Sequence, residues 1–235
     1  MFKSLIPRLG SRAFSTKLDY LQNLAMNENC ILVDEEDKSL GPVSKRECHT
    51  IKDNGQLLLH RAFSVFLFNK RGELLLQRRS LSKITYPDLY TNTCCSHPLF
   101  DIPEEREERA ELGVRKAAQR RLNFELGIPM EQIEPQEFNF VTRILYKDLG
   151  DGVWGEHELD YLLFLQKDVD LDPNPNEVSE VRYVQRQNVE RTLNNLEAPL
   201  TPWFKLILEH KLCFWWDHLY EINRFQDRAN IHKLE

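Results

Sequence analysis

The chain has 235 residues, of which 41% are hydrophobic and 29% charged, and carries a formal net charge of -6. That length supports one full core, and an acidic balance with pI near 5.7 excludes a basic nucleic-acid surface, so no nucleic-acid partner is expected. No run of about 18 apolar residues occurs, which excludes a helical membrane span; five cysteines without regular spacing exclude a disulfide scaffold and predict reduced thiols.

Residues 1–18 carry Lys3, Arg8, Arg12 and Lys17 among Ser4, Ser11, Ser15 and Thr16, with no acid before Asp19. This is the composition of a mitochondrial transit peptide, and Arg12-Ala13-Phe14-Ser15 is similar to a matrix-processing site. The plainer reading is a disordered basic tail on a cytoplasmic or peroxisomal protein, although His232-Lys233-Leu234-Glu235 does not fit a Ser-Lys-Leu-type ending. Residues 19–235 read as one domain.

Within that domain, 18–26 is compatible with the start of a helix and 28–37 is strand-like around Cys30-Ile31-Leu32-Val33. Residues 61–69 are dense in β-branched and aromatic side chains, and the turn Lys70-Arg71-Gly72-Glu73 leads to a second run, 74–77, which predicts a hairpin. Arg78, Arg79 and Lys83 then place cations where the second strand leaves the sheet. The stretch Thr91-Asn92-Thr93-Cys94-Cys95-Ser96-His97-Pro98 sets two thiols beside an imidazole. Either thiol is plausible as buried packing; beside a cation or imidazole a thiol shifts toward thiolate and becomes a base or nucleophile.

Residues 103–111 are strongly acidic and read as a solvated helical turn or a loop with no assigned role. In 114–126, Val114, Ala118 and Leu122 recur every four residues and Gly127 follows as a helix end; Arg121 and Glu125 share one face of that helix. Residues 138–146 and 156–166 read as strands joined through Leu149-Gly150-Asp151-Gly152. In the second strand Glu156, Glu158 and Asp160 project to one side. Its continuation Tyr161-Leu162-Leu163-Phe164-Leu165 is apolar on both faces and so central. A proline-rich break at 170–176, a short strand at 180–184 and a short helix at 188–195 precede Thr201-Pro202-Trp203. That tripeptide opens the last helix with an N-cap threonine and a proline at the first helical position, and Phe204, Leu208, Leu212, Trp215 and Leu219 keep helical spacing along it. Strands and helices mixed around one sheet define an α/β fold.

Three histidines, His49, His60 and His97, fall near strand or loop ends close to Glu156 and Glu158. Taken singly each is more often a surface or core residue, and the glutamates are compatible with an exposed edge strand. Carboxylates opening a central strand need partners, and a mixed nitrogen and oxygen set suits Zn2+, Mn2+ or Mg2+ better than a thiolate cage does. Lys45, Arg79, Lys83 and Arg121 are either solvated charge or a cradle for a diphosphate-like anion. Glu125 beside Arg121 would hold a second hard cation against the phosphates. A cysteine and a glutamate on opposite sides of a small carbon skeleton would protonate one face and deprotonate the other.

Together Thr91-Asn92-Thr93-Cys94-Cys95-Ser96-His97-Pro98, Trp154-Gly155-Glu156-His157-Glu158 and Thr201-Pro202-Trp203-Phe204 resemble the type I isopentenyl-diphosphate delta-isomerases of the Nudix superfamily, over about residues 20–222. The resemblance implies a single-domain Nudix-type α/β/α sandwich with a mixed central sheet. It further implies interconversion of isopentenyl and dimethylallyl diphosphate in isoprenoid and steroid biosynthesis, by a monomer acting on a small-molecule diphosphate. Matched residue by residue, Cys95 and Glu158 are the proton-transfer pair, with Tyr146 assisting and lining the hydrocarbon pocket. His49, His60, His97, Glu156 and Glu158 bind the catalytic divalent metal (Mg2+, Mn2+ or Zn2+), and Glu125 binds a second Mg2+ that touches the substrate diphosphate. Lys45, Arg79, Lys83, Ser96 and Arg121 match diphosphate-binding positions, and the indole of Trp203 shields a tertiary cation from water. The chain departs from the general Nudix signature: residues 120–128 have Arg121 and Phe124 where two glutamates are expected. The rival readings are a Nudix hydrolase of another diphosphate, in which Cys95 is dispensable, and a noncatalytic module held by a structural metal, which unfolds on chelation.

Overall fold

The computed structural model describes residues 20–235, so the transit-peptide reading of residues 1–18 lies outside the described residues. Helical residues 20–25 (α1) are followed by β1 (Asn29–Val33), β2 (Ser39–Ser44) and α2 (Lys45–His49), then β3 (His60–Phe68), β4 (Leu74–Arg79), β5 (Tyr90–Thr91) and β6 (Cys94–Ser96). The second half contributes α3 (Leu112–Leu126), β7 (Asn139–Asp148), β8 (Glu156–Gln166), β9 (Val178–Val184), α4 (Val189–Asn194), α5 (Pro202–Ile207), α6 (Cys213–Asp217) and β10 (Ile231–Lys233).

The strands join one sheet in the order β10-β7-β8-β3-β1-β2, with β4 and β6 branching from β3, and β5 and β9 paired to β4. β8 lies between an antiparallel partner, β7, and a parallel one, β3, whose register runs from His60 opposite Glu158 to Phe68 opposite Gln166. The mixed sheet and the central position of the second long strand are therefore as expected. Alternation does the rest of the building. Phe63, Val65 and Leu67 face one way, onto Val114, Ala118 and Leu122 of α3. Phe66 and Phe68 face the other way, onto Trp203, Phe204 and Ile207 of α5 and Trp215 of α6. Helices on both faces of one sheet give the α/β/α sandwich. α3 stops at Gly127, whose φ of 64° and close approach to the Asp172 carbonyl, 2.2 Å from where a Cβ would stand, exclude a side chain.

Three local expectations change. The last helix is interrupted: α5 passes through a π-turn, Leu208–Leu212, before α6, and Leu219 begins a separate 3-10 stretch, Leu219–Phe225. The wider turn shifts the apolar stripe so that Leu212, Trp215 and Trp216 still meet the sheet. Thr201 stands at the N-cap position, yet its hydroxyl donates to Thr91 Oγ1 at 2.8 Å instead of accepting a helix N–H. The acidic segment forms two 3-10 turns, and Glu105 within it is buried, accepting the Leu99 N–H at 2.8 Å and Arg120 at 2.5 Å. One residue of an apparently solvated run is thus the clasp between α3 and the loop that follows His97.

Candidate active site

β6 pairs with β3 so that Ser64 lies opposite Cys95 and Val65 opposite Cys94. Neighbouring side chains on a strand point to opposite faces. Cys94 therefore enters the α3-side core, while Cys95 turns toward Trp203. The sulfur of Cys95 receives the indole N–H of Trp203 at 2.8 Å, donates its own proton to Asn92 Oδ1 at 2.9 Å and lies 3.3 Å from Ser64 Oγ. Ser64 in turn donates to Asp160 at 2.7 Å. Burial, reinforced by the nearby Asp160 carboxylate, pushes the Cys95 thiol up to about 12. The shift runs opposite to the thiolate reading, because desolvation outweighs the hydrogen bonds to Ser64, Asn92 and Thr91 that favour the thiolate.

Glu158 occupies the same face of β8. Its position opposite Tyr146 on β7 and His60 on β3 follows from the strand register. Tyr146 donates to Glu158 Oε2 at 2.5 Å, and His97 Nε2 meets Oε1 at 2.8 Å. Burial would raise this carboxyl, but His60 and His97 hold it well below the usual carboxylate range. Glu156, one pleat earlier, lies 3.4 Å from His49 Nε2. Burial and the charge of Glu158 push it well above its usual value.

One potential ligand atom from each of His49, His60, His97, Glu156 and Glu158 lies within 4.8 Å of all the others, and every one of these residues is buried. The three imidazole rings stand 4.9 to 5.1 Å apart. α2, the starts of β3 and β8 and the end of β6 each deliver part of this set. Burial pushes His97 down to about 3 and His49 well below its ordinary value, leaving both in the neutral, ligating form. Both ring nitrogens of His49, Nε2 of His60 and Oε2 of Glu156 are buried without a hydrogen-bond partner. Orphaned lone pairs of both nitrogen and oxygen, converging at this spacing, fit a divalent cation.

Lys45, Arg79, Lys83 and Ser96 line the cavity over this cluster together with Cys95, Glu158 and Trp203. Arg79 gets there through a β-bulge between Arg78 and Arg79, which re-aims it to the Trp203 face, 5.6 Å over the indole ring. Its guanidinium is held by the Thr85 and Tyr86 carbonyls at 2.7 and 2.8 Å. Arg121 and Glu125 are not among the residues that line this cavity. Arg121 grips Glu125 at 2.6 Å and reaches Glu177 at 3.4 Å, and Gln77 donates to Glu125 at 3.1 Å. The expected diphosphate arginine and second metal ligand therefore form a closed buried ion pair in this structure. The pairing arises because their four-residue spacing on α3 lets each neutralise the other.

The sequence gives no sign of a role for Asn92, Ser64 or Glu177, and it puts Asp160 on the Glu158 side of the strand without a role. Alternation from Glu158 was enough to place Asp160 on the site face, but no local pattern marks Asn92 or Glu177. Glu177 binds Lys83 and Gln22 from more than 90 positions away, and only the folded chain shows it.

Fold and site together define a Nudix-domain protein. The NUDIX domain family matches residues 58–204. The crystal structure of DR0079 from Deinococcus radiodurans shares the architecture with a TM-score of 0.51 at 17% identity, over 78% of this chain and 99% of that one. Within that class the likeness is much closer to one group. Isopentenyl-diphosphate Delta-isomerase 1 of Bos taurus is 50% identical over 92% of this chain and 96% of its own length. The Mesocricetus auratus protein of the same name is 48% identical over 94% and 98%, and Isopentenyl-diphosphate Delta-isomerase I of Clarkia breweri is 51% identical over 91% and 77%. The chain belongs to the isopentenyl-diphosphate Delta-isomerase family.

Proposed function

We propose that this protein interconverts isopentenyl diphosphate and dimethylallyl diphosphate, moving a carbon–carbon double bond by adding a proton at one carbon and removing one at another. The observation that supports this most is the meeting of a half-buried thiol, Cys95, with Glu158 and Trp203 in one cavity that Lys45, Arg79 and Lys83 also line. Cys95 and Glu158 divide the two proton transfers, and Tyr146 steadies the Glu158 carboxylate through its hydroxyl. Trp203 turns its N–H to the sulfur, and its ring face stabilises the tertiary cation and keeps water from capturing it. The cations and Ser96 hold the diphosphate.

His49, His60, His97, Glu156 and Glu158 hold Mg2+, Mn2+ or Zn2+, and a cation there supplies the positive charge that orients Glu158 and keeps two adjacent buried carboxylates charged. Glu125 would hold a second Mg2+ against the substrate diphosphate. The protein acts as a monomer in isoprenoid and steroid biosynthesis. Residues 1–18 direct it to mitochondria; a diffuse cytosolic signal from a reporter carrying them would overturn that assignment.

The reaction is tested by incubating the protein with isopentenyl diphosphate and Mg2+ in D2O and following deuterium into dimethylallyl diphosphate by NMR. Release of phosphate or pyrophosphate without label exchange, at every metal tried, would falsify the isomerase reading. No helix among the described residues is long and apolar enough to cross a membrane.

A further inference from the structure

We infer that Asn92 is a positioning residue that sets the Cys95 thiol and the Trp203 indole against each other; the inference deepens the isomerase reading and rests on it. Asn92 is fully buried, at 0% exposure. Its Nδ2 donates to the backbone carbonyls of Val65 at 3.0 Å and Cys94 at 3.2 Å. These acceptors belong to β3 and β6, so the sheet itself dictates which end of the carboxamide is oxygen and where that oxygen points. Oδ1 faces the site and accepts from three donors: the S–H of Cys95 at 2.9 Å, the Thr91 hydroxyl at 2.9 Å and the Trp203 indole N–H at 3.2 Å. Thr201, at the start of α5, donates to Thr91. One side chain thus ties β3, β6 and α5 together at the reacting thiol.

The consequence is geometric. A thiol proton rotates about the Cβ–Sγ bond, and an acceptor oxygen held 2.9 Å from the sulfur by the sheet favours the rotamer that points at it. The same oxygen, shared with the indole N–H, sets the aromatic ring against the sulfur. Displacing a reacting group by about 1 Å costs on the order of 10²-fold in rate. The hydrogen bonds of Asn92 go to Val65, Cys94, Thr91, Cys95 and Trp203, and none to Lys45, Arg79 or Lys83. Its loss should therefore fall on kcat and not on KM.

The test is Asn92→Ala in the full chain, read two ways. In turnover of isopentenyl diphosphate, kcat falls about 10²-fold while KM stays within about threefold. In the 15N-indole NMR spectrum the Trp203 signal, identified with Trp203→Phe, moves, while those of Trp154, Trp215 and Trp216 stay and show that the fold is intact. Should Asn92→Ala not fold, the near-isosteric Thr91→Val, which removes one donor from Oδ1, takes its place. It is expected to lower kcat by about three- to tenfold and to move the same signal less. An unmoved Trp203 signal, or a rise in KM that accounts for the whole loss, overturns the inference. If the wild-type protein does not turn over isopentenyl diphosphate, the isomerase reading fails, and the indole signal alone then decides whether Asn92 positions Trp203.

Discussion

Two buried polar clusters lie on either side of β6, and each adjacent cysteine belongs to one of them. On the Cys95 side, three imidazoles and two carboxylates converge with ring nitrogens of His49 and His60 and one oxygen of Glu156 left without partners. On the Cys94 side, Arg121, Glu125, Glu177 and Gln77 close on one another through ion pairs and an amide hydrogen bond, and Glu177 also pairs with Lys83 of the cavity lining. Both clusters contain charge that burial would penalise, but they resolve it differently. The second supplies its own counter-charges from within the chain. The first leaves converging nitrogen and oxygen lone pairs without a partner from the chain, an arrangement that fits a divalent cation.

The largest expected effect tests the division at the thiols. Cys95→Ala should lower deuterium exchange by about 10²- to 10⁴-fold, whereas Cys94→Ala, a change in the α3-side core, should retain most of it; the reverse pattern would move the proton carrier to the other face. Next in size, Glu125→Gln breaks the closed cluster and leaves Arg121 short of its nearest counter-charge, at a cost of about 3 kcal/mol in urea unfolding. A loss below about 1 kcal/mol would mean that the ion pair is held in reserve for a ligand and is not structural.

A smaller effect follows pH. Burial would raise the Glu177 carboxyl, but Lys83 and Arg121 outweigh it and hold it at about 2, below an ordinary value of 4.5. A depressed folded value means that the unfolded chain binds the proton more tightly. The contribution is complete above about pH 4.5 and is lost as pH falls toward 2, amounting to about 3 kcal/mol at most. Glu177→Gln should flatten that part of the stability profile, and an unchanged slope between pH 4.5 and 2 would contradict the assignment. The smallest effect sharpens the contrast. In metal-free protein Glu156→Gln should change stability by less than about 1 kcal/mol, because it removes a carboxylate that the site itself disfavours. The same variant should weaken divalent-metal binding by about tenfold or more in a calorimetric titration.

Much of the site was legible because its chemistry is local. Cys95, Ser96 and His97 sit within one tripeptide, Glu156 and Glu158 are one pleat apart, and Trp203 follows a threonine and a proline that mark a helix start. The long strands β3, β7 and β8 announced themselves by apolar density, and α3 by its four-residue repeat. The short strands β2, β5, β6 and β10 did not, because two to six residues of mixed polarity carry no period. The acidic run hid Glu105, since composition cannot separate one buried carboxylate from solvated neighbours.

By itself the sequence determined the α/β class, the central place of β8 and the residue types gathered for metal, diphosphate and proton transfer. The tertiary structure decided how those groups are partnered. It placed Cys94 and Cys95 in different environments through the register of β6 on β3, raised the Cys95 thiol instead of lowering it, and closed Arg121 onto Glu125 and Glu177. It also brought Asn92 to the sulfur. The reason is physical: residue type and spacing decide what a side chain is able to do, whereas desolvation and partners arriving from distant strands decide which of those things it does.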